Sequence, residues 1–536
     1  MSSEARDDVE VWARLYELPI ASLTLEPATV PALFRDAVSK APDAVAVRYC
    51  DTELSYGQLD EHSDRLATWF GESGVAHGDR VVILLQNVPE FVVAVLAAWK
   101  VGGIPVPVNP MYRGKELGRI IADADPKLVV CLGEDIAPIS FDCEVAHFLA
   151  VGRAVAERNQ TVSVRTDVTP WKKALASQRT ISAASDSPDS TGLLMYTSGT
   201  TGTPKGAQLS HRAIAYNARM SSVWLQHGAS SRILAIAPFF HITGFVLQLA
   251  SAMECGAEVL LAGRPNPDNL IALIRAHRPT HTSGTITIFN ALMNVSGVER
   301  SDFDSFVRVA CGGAPIPPAL KTEILRRTGL NLCPGYGMTE TCGPTHFAPF
   351  GHDVPVDPDT GALSIGIPVP GVEARLEDEE GRVVVSGKRG ELLVRGPQVM
   401  HGYWRRPAET QAVLDDGWIR TGDVAVMDDA GWFYLVDRKK DVIIASGFKV
   451  WPREVEDQLY DIPEILEAAV IGKPDAYRGE SPVAFVSLVP GSSLSTDDVI
   501  AHCRANLAAY KVPREVVILP GLPKTPSGKI QRALLR

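Results

Sequence analysis

What this sequence lacks removes several classes of function. Its longest apolar run, FVVAVLAAW at Phe91 to Trp99, is far short of the ~20 residues a membrane-spanning helix needs, so no integral membrane segment is expected. Positive charge is not in excess: 52 Lys and Arg stand against 63 Asp and Glu, a net charge of -11. A chain that tracks nucleic-acid phosphates needs a basic stripe, and none is expected here. The eight cysteines form no C-x-x-C pair, which argues against a zinc or disulfide framework and for reduced thiols in a cytoplasmic protein. The opening MSSEARDDVEVW is acidic and has no apolar core, unlike a secretory signal. Internal repeats and low-complexity tracts are missing too.

What is present reads as a layered globular protein. A chain of 536 residues has room for roughly three or four folding units, and 46% hydrophobic with 21% charged residues is ordinary for such a chain. LSYGQLDEHSDRLATWFGESG has helical spacing of Leu59, Leu66 and Phe70, and DRVVILLQN follows as a buried strand. VPEFVVAVLAAWKVGG predicts a helix, IPVPVNP an extended segment, and KELGRIIADADPKLVVCLG a helix and then a strand. This alternation predicts α/β layers with largely parallel strands. Near residue 437 the texture changes. VWPREVEDQLYDI, EAAVIGK, SPVAFVSLV, STDDVIAHCRANLA and REVVIL read as helix, strand, strand, helix and strand, a small α+β unit of about one hundred residues.

The stretch MYTSGTTGTPKGAQLSH, Met195 to His211, sets hydroxyls and glycines in front of Lys205. Glycines allow backbone N–H groups to approach a ligand closely, and hydroxyls with a lysine suit a polyphosphate. A P-loop requires G-x-x-x-x-G-K-[ST]. Here Pro204 precedes Lys205 and Gly206 follows it, so the Walker reading fails. A flexible linker has similar composition, yet this segment lies between the strand-like GLLMY and the helix-like HRAIAYNARM.

Seven motifs in order resemble the adenylate-forming superfamily: YTSGTTGTPKG, PFFH at Pro238 to His241, GYGMTE at Gly335 to Glu340, TGD at Thr421 to Asp423, DRKKD at Asp437 to Asp441, SGFKV at Ser446 to Val450 and PKTPSGKI at Pro523 to Ile530. That superfamily includes acyl- and aryl-CoA synthetases, amino-acid adenylating domains and beetle luciferases. The resemblance implies a large, multi-layered N-terminal α/β adenylating domain (1–436), a hinge (437–441) and a small, mobile C-terminal α+β lid (442–536). It also implies a reaction in which a carboxylate attacks the α-phosphate of ATP, pyrophosphate leaves, and a thiol then displaces AMP.

The same resemblance assigns residues. Thr197, Ser198, Gly199, Thr200, Thr201, Gly202 and Lys205 would hold the departing phosphates, and Glu340 would bind Mg²⁺ as a hard oxygen donor. Thr339 would bond the α-phosphate. Tyr336, with Gly337 and Met338, and Gly313, Ala314 and Pro315 would flank the adenine. Asp423 would accept the ribose hydroxyls, with Val436 and Arg438 beside the nucleotide. Lys529 would bridge carboxylate and α-phosphate, where two anions meet and the barrier is mostly charge. Singly, each has a dull reading: Asp423 as a turn residue, Tyr336 as core, Glu340 as a solvated helix start, Lys529 as a frayed surface lysine. His241 alone reads as a satisfied interior group; by resemblance it lies beside the acid and the thiol route. Amino-acid adenylating domains carry an aspartate there, so His241 counts against an α-amino-acid substrate.

Few residues follow Lys529, so an external thiol is expected, either coenzyme A or the thiol of a separate carrier protein. By resemblance, Ser446, Gly447 and Phe448 would line the CoA route, Lys449 would be the active-site lysine of that loop, and Lys440 the residue whose backbone absorbs the rotation. Trp451 stands where many relatives carry a small or amide residue and would narrow or shield the CoA entrance. For the small-molecule acid, Gly312 and Gly313 are read as leaving volume open, with Ile242, Phe245, Gly337 and Met338 beside it. An apolar pocket with one carboxylate-binding end suits a long or bulky hydrophobic acid. A cinnamate-like aryl acid, as in coumarate ligases, is the second expectation. Oligomeric state is not legible in the sequence.

Overall fold

A computed structural model describes residues 12, 16, 28–135, 147–151, 167–178, 187–197, 204–438, 441–445, 448–475, 478–525 and 528–536. The expected alternation is present. The helix Tyr56–Glu72 opens on a reciprocal cap between Ser55 and Gln58, which satisfies two orphan backbone donors. The helix Pro89–Lys100 starts on its proline and is buried from Phe91 to Lys100. A helix apolar all round belongs inside a core. Even its terminal Lys100 is buried, donating to Asp60 and Asp64 at 2.7 Å each.

Among the described residues, one sheet has nine strands, and the site lies at the C-terminal ends of two of its inner strands, Arg308–Gly312 and Leu332–Met338. Its central strands, from Glu258–Leu261 through Arg232–Ala235, His281–Gly284 and Arg308–Gly312 to Leu332–Met338, pair in parallel. A second, five-stranded sheet is parallel throughout, from Ile104–Pro107 to Asp167–Pro170. The antiparallel pair Thr191–Thr197 and Lys205–Ser210 has the short strand Gly402–Tyr403 added at its edge.

An antiparallel sheet follows in the chain, built from Glu373–Glu377, Gly390–Arg395, Trp418–Met427 and neighbours, and its strand Phe433–Arg438 ends it. The next strand, Ile443–Ala445, belongs to the small C-terminal sheet with Phe448–Val450, Gly479–Leu488, Ile465–Asp475 and Glu515–Ile518. That sheet carries the helices Pro452–Tyr460 and Thr496–Asn506 over a core of its own. The architecture is therefore a large N-terminal α/β domain with a small C-terminal α+β domain.

The small domain is docked against the large one by directional contacts. Asp437 accepts from the Arg453 N–H at 2.9 Å and from Arg532 at 3.1 Å, while Arg453 also donates to the Leu435 carbonyl at 3.1 Å. Within the small domain, Arg532 is itself held by Glu456 through both arms of its guanidinium, at 3.0 and 2.6 Å. Beside them Trp451 is buried on Val424, Val426 and Val436. In this arrangement Trp451 is therefore an apolar pad between the domains.

Candidate active site

Strands from two sheets and one loop converge to make the site. The strand Leu332–Met338 runs into a short 3₁₀ turn, Thr339–Thr341, stopped by Cys342 in a left-handed conformation. The turn puts Tyr336 on the strand and Glu340 just past its end. In the antiparallel pair that follows, Asp423 stands directly opposite Arg438. Tyr336 Oη donates to Asp423 Oδ2 at 2.7 Å, and Arg438 Nε lies 3.3 Å from Asp423 Oδ1. Burial pushes the Asp423 carboxyl up and the Arg438 charge pulls it back. Burial likewise lifts the Tyr336 phenol well above its usual range, so it remains a donor.

Lys529 arrives from the small domain. Its loop is closed on itself, with the Thr525 N–H donating to the Lys529 carbonyl at 2.7 Å and the Lys529 N–H to Thr525 Oγ1 at 3.0 Å. Thr287 of the large domain donates to the Gly528 carbonyl at 3.1 Å and so docks the loop. The lysine stem runs over Gly313, where a Cβ would stand 3.2 Å from Lys529 Cε; that glycine has φ +75, in the left-handed region that favours glycine. Burial lowers the Lys529 pKa to about 8, Arg438 adding to the drop while Asp423 and Glu340 oppose it. The ammonium thus sits among Arg438, Asp423 and Glu340.

His241 completes that side. It caps the turn Ile242–Gly244, its Nδ1 accepting from the Thr243 N–H at 3.4 Å, which leaves the proton of the neutral ring on Nε2. Burial, with the nearby Lys529 charge, pushes its pKa down to about 3, so the ring is neutral near pH 7. Beyond it the chain widens into a π-helical segment, Phe245–Ala250, a rare geometry that is frequent at functional sites.

On the other flank, Thr197 and Lys205 face each other at the mouth of their hairpin. Lys205 Nζ lies 5.0 Å from the centroid of the Tyr403 ring, and Tyr403 Oη donates to Glu340 Oε1 at 2.8 Å. Among the described residues no group of three or more His, Cys, Asp or Glu could cage a metal. A single buried carboxylate such as Glu340 suits an ion whose other ligands are phosphate oxygens and water, as magnesium's are.

The structure thus brings together Lys529, Gly313, Asp423, Arg438, Tyr336, Glu340 and His241, with Lys205 and Thr197 beside them. Gly337, Met338 and Thr339 follow on the same strand and turn, and Ala314 and Pro315 follow Gly312 and Gly313. Ser198, Gly199, Thr200, Thr201, Gly202, Lys440, Ser446 and Gly447 lie outside the described residues. Lys449 is apart from this cluster, exposed and donating to Glu379 at 2.7 Å. Phe448 is 56% exposed and stacks on Tyr510, and the Val436 side chain belongs to the pad under Trp451.

Two acid-pocket expectations are corrected. A Cβ on Gly312 would meet the Gly335 carbonyl oxygen at 2.5 Å, so this glycine serves the close approach of two strands and opens no volume. Phe245 is fully buried, edge-on to Trp99 with ring centroids 6.0 Å apart, which places it in the main core.

Tyr403 and Arg532 were not foreseen. They act through contacts between residues far apart in the chain, and no local pattern announces them.

Comparison with known proteins agrees with this geometry. The family model of the AMP-binding enzymes matches residues 34–404, and that of the AMP-binding enzyme C-terminal domain matches 454–529. A long-chain-fatty-acid–CoA ligase of Bacillus subtilis (strain 168) is 34% identical, over 97% of this chain and 95% of its own. A feruloyl-CoA synthase of an Amycolatopsis species is 35% identical, over 92% and 96%. Among solved structures, the anthranilate CoA ligase AuaEII in complex with anthranoyl-AMP superposes with a TM-score of 0.87 at 26% identity, covering 97% of this chain and 98% of that one. ATP-bound MatB from Rhodopseudomonas palustris gives 0.84 at 27% identity, covering 95% and 98%. With both family models matched in order and relatives aligned over nearly the whole length, the chain belongs to the AMP-binding enzymes of the adenylate-forming superfamily and is an acid–thiol ligase.

Proposed function

We propose that the chain is an ATP-dependent acyl-CoA synthetase that activates a hydrophobic carboxylic acid as its acyl-adenylate and then transfers the acyl group to coenzyme A. The observation that carries this reading is Lys529, delivered from the small domain into a cluster of Asp423, Arg438, Tyr336 and Glu340 on the large one. Asp423 and Tyr336 hold the nucleoside. Lys205, Thr197 and the hydroxyls of the adjoining loop hold the phosphates that leave. Mg²⁺ bound with the nucleotide at Glu340 would neutralise phosphate charge.

Lys529 relieves the repulsion between the carboxylate oxygen that attacks and the α-phosphate it attacks. As the new P–O bond forms, the bond to the pyrophosphate oxygen breaks. Neutral His241, with Nε2–H as donor, orients the acid. The thiol then adds to the acyl carbon and AMP leaves with the carboxyl oxygen it gained. Lys449 is exposed in the present arrangement, so this second step needs the small domain to turn about 437–441, carrying Lys529 out and the 446–450 loop in.

A long or bulky aliphatic acid is the first reading of the substrate, supported by the Bacillus relative. An aryl acid is the second, supported by the feruloyl-CoA synthase and by the likeness to the anthranilate ligase. A cytoplasmic setting is part of the same proposal, supported by the free thiols of the described cysteines.

Thioester formation with ATP, Mg²⁺ and CoA across a panel of fatty, cinnamate-like and benzoate-like acids tests the reading. Acid-dependent release of pyrophosphate with matching thioester is expected, highest for the longer fatty acids. Adenylate that is discharged only by a carrier-protein thiol would overturn the CoA assignment.

A further inference from the structure

Tyr403 touches both flanks of the phosphate side of the site, and neither its family match nor its sequence context says why. It sits in the two-residue strand Gly402–Tyr403, opposite Ala207 of the strand Lys205–Ser210. Lys205 is two residues before Ala207, so it shares that face as the diagonal neighbour, within reach of an aromatic ring. The pairing continues on either side, through the His401 N–H to the Gln208 carbonyl at 2.9 Å and the Trp404 N–H to the Gly206 carbonyl at 2.7 Å. The same segment is bound to the other flank, the Met400 N–H donating to the Glu340 carbonyl at 2.8 Å.

The side chain repeats the bridge. Its ring lies under Lys205 Nζ and its hydroxyl donates to Glu340. Among the described residues, Tyr403 is the one side-chain donor to that carboxylate.

We propose that Tyr403 is a positioning residue that ties the Glu340 carboxylate to the Lys205 ammonium, fixing the spacing of the metal-side and phosphate-side groups before nucleotide and Mg²⁺ bind. This rests on the reading above of Glu340 and Lys205 as groups facing the polyphosphate. A hydrogen bond to one carboxylate oxygen fixes the carboxylate plane and leaves the other oxygen for a cation. A ring beneath an ammonium holds it by cation–π attraction without removing its N–H donors. Tyr403 is itself held rigidly. Its N–H donates to Thr410 Oγ1 at 2.9 Å, and it is only 7% exposed. Neighbouring Arg406 and Trp404 anchor the segment to Asp123, at 2.9 and 3.1 Å. Orientation of this kind is what a supporting shell contributes to a site.

The test separates the two contacts. Tyr403→Phe keeps the ring and removes the donor. The Mg²⁺ concentration for half-maximal pyrophosphate release is expected to rise about five- to tenfold, a change that corresponds to about 1–1.4 kcal/mol. kcat at saturating Mg²⁺ should stay near the parent value. Binding of Mn²⁺ with a non-hydrolysable ATP analogue, followed by electron paramagnetic resonance, should weaken by the same factor with no turnover involved. Tyr403→Leu removes both contacts and should also raise KM for ATP at saturating Mg²⁺.

In a Glu340→Gln background, Tyr403→Phe should have no further effect on Mg²⁺. Thermal unfolding midpoints of the three variants report whether packing alone has changed. An altered Mg²⁺ requirement in Glu340→Gln but not in Tyr403→Phe overturns the tie while sparing the reading of Glu340. An unaltered requirement in Glu340→Gln overturns that reading and the tie with it.

Discussion

Two lysines of the small domain stand in opposite surroundings. Lys529 is enclosed among Arg438, Asp423 and Glu340, and its pKa falls to about 8. Lys449 is 55% exposed and pairs with the still more exposed Glu379. Both belong to motifs that resemblance assigns to catalysis. The docked domain therefore offers one lysine to the site and parks the other at the surface. The difference lies in which face of the domain is turned inward, not in the residues themselves, and the docking contacts of Asp437, Arg453 and Arg532 set that face.

The largest expected effect breaks the comparison at Lys529. Lys529→Ala should slow pyrophosphate release by about two to three decades, as loss of one preorganised charge-stabilising donor does. Supplied with synthetic acyl-adenylate and CoA, the same variant should make thioester at close to the parent rate. Equal losses in both half-reactions would mean that Lys529 does not leave the site between them.

A smaller effect sharpens the same contrast through pH. The ammonium is the working form of Lys529, so its contribution is present below about 8 and lost as pH rises through that value. kcat/KM for the adenylation half-reaction, which reports the free enzyme, should fall about tenfold per pH unit above it. Lys529→Arg should remove that limb whatever its absolute rate, because a guanidinium does not lose its proton in this range. A limb that persists in Lys529→Arg belongs to another group.

Gly313 tests how closely the lysine must fit. Gly313→Ala puts a methyl 3.2 Å from Lys529 Cε at a residue with φ +75, and that backbone strain adds roughly 1–2 kcal/mol for an L residue. Adenylation is expected to fall about tenfold, the size of effect that about 1.4 kcal/mol gives, while thioester formation from synthetic adenylate is spared. A loss shared by both half-reactions would assign the damage to the large domain and not to the seating of Lys529.

Much of this was legible in the sequence, and the exceptions have physical reasons. The helices Tyr56–Glu72 and Pro89–Lys100 and the strands after them follow from apolar spacing, because each buries one face or all of itself. The site residues Tyr336, Glu340, Asp423 and Lys529 lie in motifs whose order resembles a known superfamily. The antiparallel sheet from Glu373 to Arg438 was not foreseen, since its strands are separated by turns and their pairing is set by partners elsewhere. Gly312 read as open space because a missing side chain looks the same in sequence whether it admits a ligand or a neighbouring strand; here the Gly335 carbonyl occupies the place. Trp451 carried no sign of the valines that bury it, and Tyr403 none of its bridge. Local pattern records what a residue does to its own segment, whereas long-range contacts need the fold.

The smallest expected effect lies at the parked lysine. Lys449 and Glu379 are 2.7 Å apart, with side chains 55% and 72% exposed. An exposed pair of this kind contributes about 0–1 kcal/mol and is screened by salt. Glu379 belongs to the large domain, so under the proposed two-step mechanism the pair would favour the arrangement seen here and delay Lys449 from reaching the second step. Glu379→Gln should therefore leave pyrophosphate release within about twofold of the parent. It should speed single-turnover thioester formation from synthetic adenylate by no more than about fivefold, the ceiling that 1 kcal/mol sets. Raising the salt concentration should have the same effect on the parent and little on the variant, because the contact it screens is already gone. A tenfold loss of thioester formation in Glu379→Gln would reverse the assignment, making Glu379 a group that presents Lys449 to the thiol step instead of one that holds it back.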